Sequence, residues 1–523
     1  MNVLLLSMPD SFEHMSPITV RMPNGALGSL AGNVDSHHRV AIADLILTQD
    51  RVRATVEHLV RSRAPDVVGL SVMTFQRRTA HALIRLIRAL RPHVRIVVGG
   101  YDPSLAHEAY ADADLGVDVV VRGEGEVSFR EVLRAIEAGT GYGDIAGISY
   151  RRGSDFVDNP HRPIASLDGE AVQLPNRGAR VLQGYTLLGR VVDVVETSRG
   201  CTFDCSFCSI IAMRGRQFHR FSLARVLADI EDARSKGARC IFFIDDNLTL
   251  DVPRFEALCR AIVAQGLNDV DYIVQGMTSA FANHGDTLAS LMARAGFRYV
   301  FLGIENILEG DLAFLRATAK NTGRADARAG GTATMQAIEH LHRHGMYVVG
   351  GLIVGNPDDT RESIETNLDF ARRFIDWPYI QHPTPYPGTP MTRDFEARKL
   401  IVNQRLEEYD GTTAVVKTET LEAEEIEFLR WRAERWIKLG HFPAALAHSP
   451  LFVLRHGLAM LRDTFRGTSP WSCLGLESEQ QVFARSRTIR RAARAALWSD
   501  LADPPMGDRP PHTPGQDEVV VTA

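Results

Sequence analysis

Short runs of aliphatic and β-branched residues alternate with amphipathic stretches along most of this chain, in two successive blocks. In the first block NVLLLSM (2–8), RVAIADL (39–45), DVVGLSVMT (66–74), RIVVGG (95–100) and VDVVVRGEG (117–125) read as strands. Several are continuously apolar, as strands covered on both faces are. Helical stretches separate them, around 51–63 and over 77–92, the latter with Leu83, Ile84, Ile87 and Leu90 on one face. Strand–helix alternation on this scale favours a parallel sheet with right-handed crossovers. Residues 1–150 are therefore expected to form a doubly wound, Rossmann-like α/β domain.

Residues 151–190 are dense in Pro, Gly and charge and read as a linker with room for a small hairpin. The second block supplies six more candidate strands, at 191–198, 240–246, 271–277, 299–305, 347–355 and 379–386. Six βα units are too few for a closed eight-stranded barrel, so 191–400 predicts an open, partial (β/α)6 barrel. Residues 401–500 turn helical. The clearest case is 422–440, with Ile426, Leu429, Ala433, Trp436 and Ile437 on one face. A second stretch, 480–498, spaces Val482, Phe483, Ile489, Ala493 and Leu497 along a helix. Arg485, Arg487, Arg490, Arg491 and Arg494 fill much of the rest, a pattern of a solvated face or of peripheral contact with an anionic membrane. The tail, 501–523, has little to bury and is expected to be disordered.

A chain of 523 residues needs more than one core. Its net charge of −5 gives no global field for nucleic acid. The apolar runs are too short for a transmembrane segment, and MNVLLLSMPD lacks the basic lead of a signal peptide. Six cysteines in this length are not a disulfide framework, so a reducing, cytoplasmic setting is expected. Cys240, Cys259 and Cys473 are scattered and read as core residues.

The other three cysteines are clustered. SRGCTFDCSFCSI places Cys201, Cys205 and Cys208 at C-x3-C-x2-C directly after a strand, where βα barrels keep their active sites. Three thiolates can hold three irons of a [4Fe–4S] cluster and leave the fourth iron open. A zinc site would need a fourth ligand, and His219 is the nearest candidate. Coincidental core cysteines fit poorly with the polar Arg199, Gly200 and Asp204 around them.

With βα units following it, this motif resembles that of the radical S-adenosylmethionine (SAM) superfamily over about 190–400. The resemblance implies that SAM binds the open iron and is cleaved to a 5′-deoxyadenosyl radical. It implies that Phe207 backs the adenine and that Asp245 or Asp246, in IDDN, holds the amino end of SAM. Glu305, in GIEN, would accept from the ribose, and Ile353, in GGLIVGNPDDT, would pack on the adenine. Taken singly, the aspartates also read as a helix cap and Glu305 as half of a salt bridge.

Residues 1–145 resemble the cobalamin (B12)-binding domain that precedes the barrel in one subgroup of that superfamily, on VVGLSVMT, IVVGG and VVVRGEGE. The implied cobalamin contacts are Ser71, Thr74, Gly99, Gly100, Gly123 and Glu124. One departure matters: D-x-H-x-x-G after the first strand is absent. PDSFEHMSP offers Asp10 and His14 at another spacing, which leaves the lower ligand of cobalt open, and DSHHRV puts His37 and His38 before the second strand. A Rossmann-like domain without cofactor is the bland alternative.

The resemblance implies a cobalamin-dependent methyltransferase acting on an unactivated carbon. The oxygen-independent cyclase of magnesium-protoporphyrin IX monomethyl ester shares the same architecture. An iron–sulfur electron carrier or sensor is the non-enzymatic alternative. The implied partners are reduced flavodoxin or ferredoxin and a small-molecule, lipid or tetrapyrrole substrate.

Overall fold

The computed structural model describes residues 1–12, 18–164, 167, 171–322, 332–448, 450–473 and 475–502. His14 and the tail beyond residue 502 lie outside them. The chain divides into two compact units. One comprises Met1–Ser11, Pro23–Tyr185 and the stretch from Arg491; the other comprises Phe12–Met22 and Thr186–Arg490.

The first unit holds a seven-stranded sheet. Its order is Arg39–Asp44, Asn2–Ser7, Val67–Ser71, Arg95–Gly99, Val119–Val121, Ile148–Arg152, Asp155–Asp158. The first five strands are parallel, and the last two form an antiparallel hairpin on the edge. Alternate residues feed two cores, Leu4, Leu6, Val68, Leu70, Ile96 and Val98 on one face and Val3, Leu5, Val67, Val97 and Val119 on the other. That is the doubly wound arrangement expected. The strand order reverses at Asn2–Ser7, which places the ligand crevice of such sheets beyond the carboxyl ends of that strand and its neighbour Val67–Ser71. The stretch read as a linker begins inside this sheet, because the hairpin Ile148–Asp158 completes it.

The end of the helix Glu479–Ala502 also packs on this unit. Trp498 Nε1 donates to Thr79 Oγ1 at 3.0 Å, Arg78 lies over the Trp498 ring, and Leu501 is buried. The apolar stripe read from the sequence needs correction here: Val482 and Phe483 are buried, but Ile489 and Ala493 are exposed. Three of the helix's five arginines are paired within the fold, and Arg491 is exposed. Arg485 pairs with Glu477, and Arg487 and Arg490 pair with Glu427.

In the second unit six parallel strands form the partial barrel. In order they are strand one (Arg190–Val195), two (Cys240–Phe243), three (Asp271–Met277), four (Phe297–Glu305), five (Tyr347–Ile353) and six (Trp377–Gln381). Beyond strand one the sheet continues antiparallel through Thr186–Leu187 and Val20–Arg21, so the barrel stays open. Parallel alignment brings all six carboxyl ends to one rim. The helix Ala423–Gly440 buries Ile426, Leu429 and Ile437 as expected, but Trp436 is 55% exposed. Its place on the buried face is taken by an ion pair, Arg430 to Glu434 at 2.7 Å. Among the described residues no helix is long and apolar enough to cross a membrane.

Candidate active site

The site begins where strand one ends. The chain continues as a short strand, Ser198–Cys201, which pairs antiparallel with Gln217–Arg220. Gly200 makes that ribbon possible: its φ is +85°, and a Cβ there would lie 2.2 Å from the Gln217 carbonyl oxygen. Between the two strands, a turn carries Cys205, and Cys208 immediately precedes the helix Ser209–Arg214.

All three cysteines are free and face one cavity of about 230 Å³ at the rim. Burial pushes the Cys205 thiol up to about 11 and the Cys208 thiol up to about 12. Thiols kept neutral by burial become thiolates when a metal supplies the opposing positive charge. Asn247 Nδ2 approaches Cys201 Sγ at 3.8 Å, the geometry of a donor to a ligating sulfur. Among the described residues no fourth thiol and no imidazole lines the cavity. His219, the candidate fourth ligand for zinc, pairs instead with Gln217 at 2.9 Å. The donor set fits a cluster held by three cysteines.

Phe207, Asp246, Glu305 and Ile353 line the same cavity. Asp246 accepts from Gly200 N–H at 2.7 Å and from Arg214, so it braces the cysteine loop from strand two. Glu305 adopts φ +61°, rare for a residue with a side chain, at an irregularity in the pairing of strands four and five. Lys320 donates to it, and both side chains are largely buried. Asn306 Nδ2 donates to the Ile353 carbonyl at 3.1 Å, which locks the end of strand four to the end of strand five.

Asp245 does not line the cavity. It is 1% exposed and accepts from Thr197 N–H and from the Thr197 and Ser198 hydroxyls. Burial pushes its carboxyl up to about 6 against those donors. Of the two adjacent aspartates, one ties strand two to the start of the cysteine loop and the other reaches the cavity. Sequence reasoning missed Lys320, Asn247, Gln275 and Gln381, which also line it. Asn247 was within reach, two residues past Asp245 in IDDN. Lys320 was not, because it sits in a connection with no motif.

At the carboxyl rim of the first sheet, Ser71 and Gly99 are partners in register. Ser71 Oγ accepts from Asn24 Nδ2 at 3.3 Å. Gly100 has φ +104°, and a Cβ on it would meet the Val72 carbonyl oxygen at 2.7 Å. Ser104, which sequence reasoning missed, joins two predicted positions: its hydroxyl donates to the Gly100 carbonyl at 2.7 Å and accepts from Gly123 N–H at 2.9 Å. Glu124 directly precedes the helix Gly125–Ala138. Thr74 is buried in its turn at 2% exposure, not open at the rim. His37 and His38 precede Arg39–Asp44, at the opposite end of the sheet. Asp10 is partly buried, with Thr79 donating to it at 3.1 Å.

Residues 18–133 match the family described as B12 binding domain, and residues 195–371 match the radical SAM superfamily. The chain is a radical SAM enzyme with an N-terminal B12-binding domain. It is 27% identical over 435 residues to an uncharacterized methyltransferase of Pyrococcus horikoshii, spanning 83% of this chain and 91% of that one. It is 23% identical to the anaerobic magnesium-protoporphyrin IX monomethyl ester cyclase of Cereibacter sphaeroides, over 75% of this chain but only 62% of the cyclase. The radical SAM methyltransferase TsrM from Kitasatospora setae, solved with cobalamin and a [4Fe–4S] cluster, superposes with a TM-score of 0.61. At 19% identity, over 77% of this chain and 76% of TsrM, that likeness shows a shared fold.

Proposed function

We propose that this radical SAM enzyme is a cobalamin-dependent methyltransferase that alkylates an unactivated carbon. The observation that carries the reading is the convergence of Cys201, Cys205 and Cys208 with Asp246 and Glu305 on one cavity at the barrel rim. Cys201, Cys205 and Cys208 would hold a [4Fe–4S] cluster with SAM on its open iron. Ser71, Gly99, Gly100, Gly123 and Glu124 would border the cobalamin. When bound, the cluster and SAM supply a 5′-deoxyadenosyl radical and the corrinoid supplies the methyl group.

The chain's own residues do the positioning. Asn247 offers a donor to one ligating sulfur. Glu305, held by Lys320, presents a carboxylate to ribose hydroxyls, and Ile353, fixed by Asn306, gives the adenine an apolar face. Asp246 accepts from the amino end of SAM while it braces Gly200. Asp245 acts one step back, through Thr197 and Ser198. Phe203, Phe207 and Met277 give the cavity apolar walls. The reading carries with it a reduced flavodoxin or ferredoxin as electron donor and a cytoplasmic site of action.

Cyclisation is the second reading, favoured by the likeness to the cyclase of Cereibacter sphaeroides. Anaerobically reconstituted protein given SAM and substrate should form both S-adenosylhomocysteine and 5′-deoxyadenosine. Formation of 5′-deoxyadenosine alone would move the assignment to the cyclase type. Protein that binds no corrinoid after reconstitution would end the methyltransferase reading.

A further inference from the structure

A second cavity, of about 190 Å³, fills the barrel lumen on the side away from the cysteines. Its walls are apolar and aromatic, including Phe242, Ile273, Val349 and Trp377 from the strands and Phe452, Val453 and Met460 from the helix Pro450–Thr464. Among the described residues no charged side chain lines it. Phe301 and Tyr379 border both this chamber and the cysteine cavity, their rings meeting edge to face at 5.1 Å between centroids. Ligand pockets for whole small molecules usually run to about 300–1,000 Å³, so the chamber suits one uncharged arm of a larger molecule.

The same helix is apolar on its other face. Leu451, Leu454 and Leu458, one turn apart, are 83%, 77% and 87% exposed. A surface helix of a globular protein normally turns polar residues outward. Arg455 and Arg462 are the exposed charges beside these leucines. The helix's one carboxylate, Asp463, is engaged by Arg466. Apolar side chains flanked by exposed arginines complement a negatively charged bilayer surface.

We infer that the chamber receives the hydrocarbon arm of a lipid substrate, and that Pro450–Thr464 seats the barrel on an anionic membrane with its outer leucines in the interface. This names the substrate class for the radical SAM reading above and rests on it. The arm lies in the lumen, and the rest of the molecule reaches past Phe301 and Tyr379 to the cysteine cavity.

The test uses the reconstituted full chain. It should float with phosphatidylcholine vesicles containing phosphatidylglycerol and stay behind with phosphatidylcholine alone. Leu454→Ser and Leu458→Ser should each weaken that binding by about tenfold, the loss expected when one leucine no longer leaves water. A fluorescent polyene fatty acid, cis-parinaric acid, should bind the wild type, and Val349→Phe and Met460→Phe, which fill the chamber from opposite walls, should each weaken it by about tenfold. Melting curves identify a variant that has simply unfolded. Equal flotation on both vesicle types, parinarate binding unaffected by both fillings, or a wild-type dimer that Leu454→Ser dissociates would overturn the inference. Substrate-free cleavage of SAM by the wild type reports on the radical reading separately.

Discussion

At the barrel rim, strand ends aim charged and sulfur-bearing side chains into a cavity. At the rim of the N-terminal sheet, equivalent strand ends are occupied with one another. Cys201, Cys205, Cys208, Asp246, Glu305 and Lys320 all border one space. By contrast, Asn24 donates to Ser71, and Ser104 joins Gly100 to Gly123. The difference fits the ligand proposed for each rim. A metal cluster and a zwitterion demand particular atoms at short range. A large flat ring demands clearance, which glycines and hydroxyls provide by keeping the backbone low. The largest expected effect breaks the first rim and spares the second. Cys205→Ala should abolish the cluster's visible absorption and reduce SAM cleavage to background, with cobalamin binding retained. Surviving cleavage would refute the cluster assignment.

The converse change sharpens the contrast. Gly100→Val places a branched side chain at φ +104° against the Val72 backbone, where even a Cβ would sit 2.7 Å from a carbonyl oxygen. The strand-end turn must shift, and cobalamin affinity should fall by at least about tenfold, the equivalent of ~1.4 kcal/mol. Iron content and substrate-free SAM cleavage should hold. If cobalamin binding is unchanged in spectral titration, the rim does not approach the ring.

What the sequence made legible follows the same division. The cysteines are local, eight residues from first to last, so their convergence needed no tertiary knowledge. The six barrel strands were legible because short runs rich in apolar and β-branched residues recur between helical stretches. Lys320 was not, because its role exists only once Glu305 is folded beside it. The two aspartates of IDDN are adjacent and lie just past Cys240–Phe243, and only the folded turn decides that Asp245 is buried against Thr197 and Ser198 while Asp246 reaches the cavity. Trp436 was placed on the buried face because hydrophobicity was weighed above pairing, and a buried Arg430–Glu434 pair took that face instead. The edge hairpin Ile148–Asp158 was obscured because its strands are rich in charge, as an edge can be.

Lys320 allows structural support to be separated from cofactor contact. Replacing it with Met leaves the Glu305 carboxylate largely buried without its cation, which typically costs about 3–5 kcal/mol. The melting temperature should fall, and SAM should bind more weakly. Adding Glu305→Gln should recover most of the stability and little of the SAM affinity, if the carboxylate itself meets the ribose. Full recovery of both would reduce Glu305 to half of a salt bridge.

The smallest effect concerns the support beneath the barrel rim. Asp311 lies beside Asp359, whose carboxylate accepts from Gly355 and Asn356 N–H, both at 2.8 Å, just past strand five. Burial, and next the Asp359 charge, push the Asp311 carboxyl up to about 7, far above the unfolded value near 4. The folded protein therefore keeps a proton that the unfolded chain releases. A raised carboxyl binds more protons when folded, so its contribution to stability is full below about pH 4 and declines as pH rises to about 7. The slope cannot exceed about 1.4 kcal/mol per pH unit for one proton. Asp311→Asn keeps a neutral donor facing Asp359 at every pH and should remove that slope. Urea denaturation at about pH 5 and about pH 8 should show the variant gaining about 1–3 kcal/mol on the wild type across that interval. Parallel curves would mean that Asp311 is already ionised in the folded state, with the pair's charge met by Asn306 and Asn356 instead of by a shared proton.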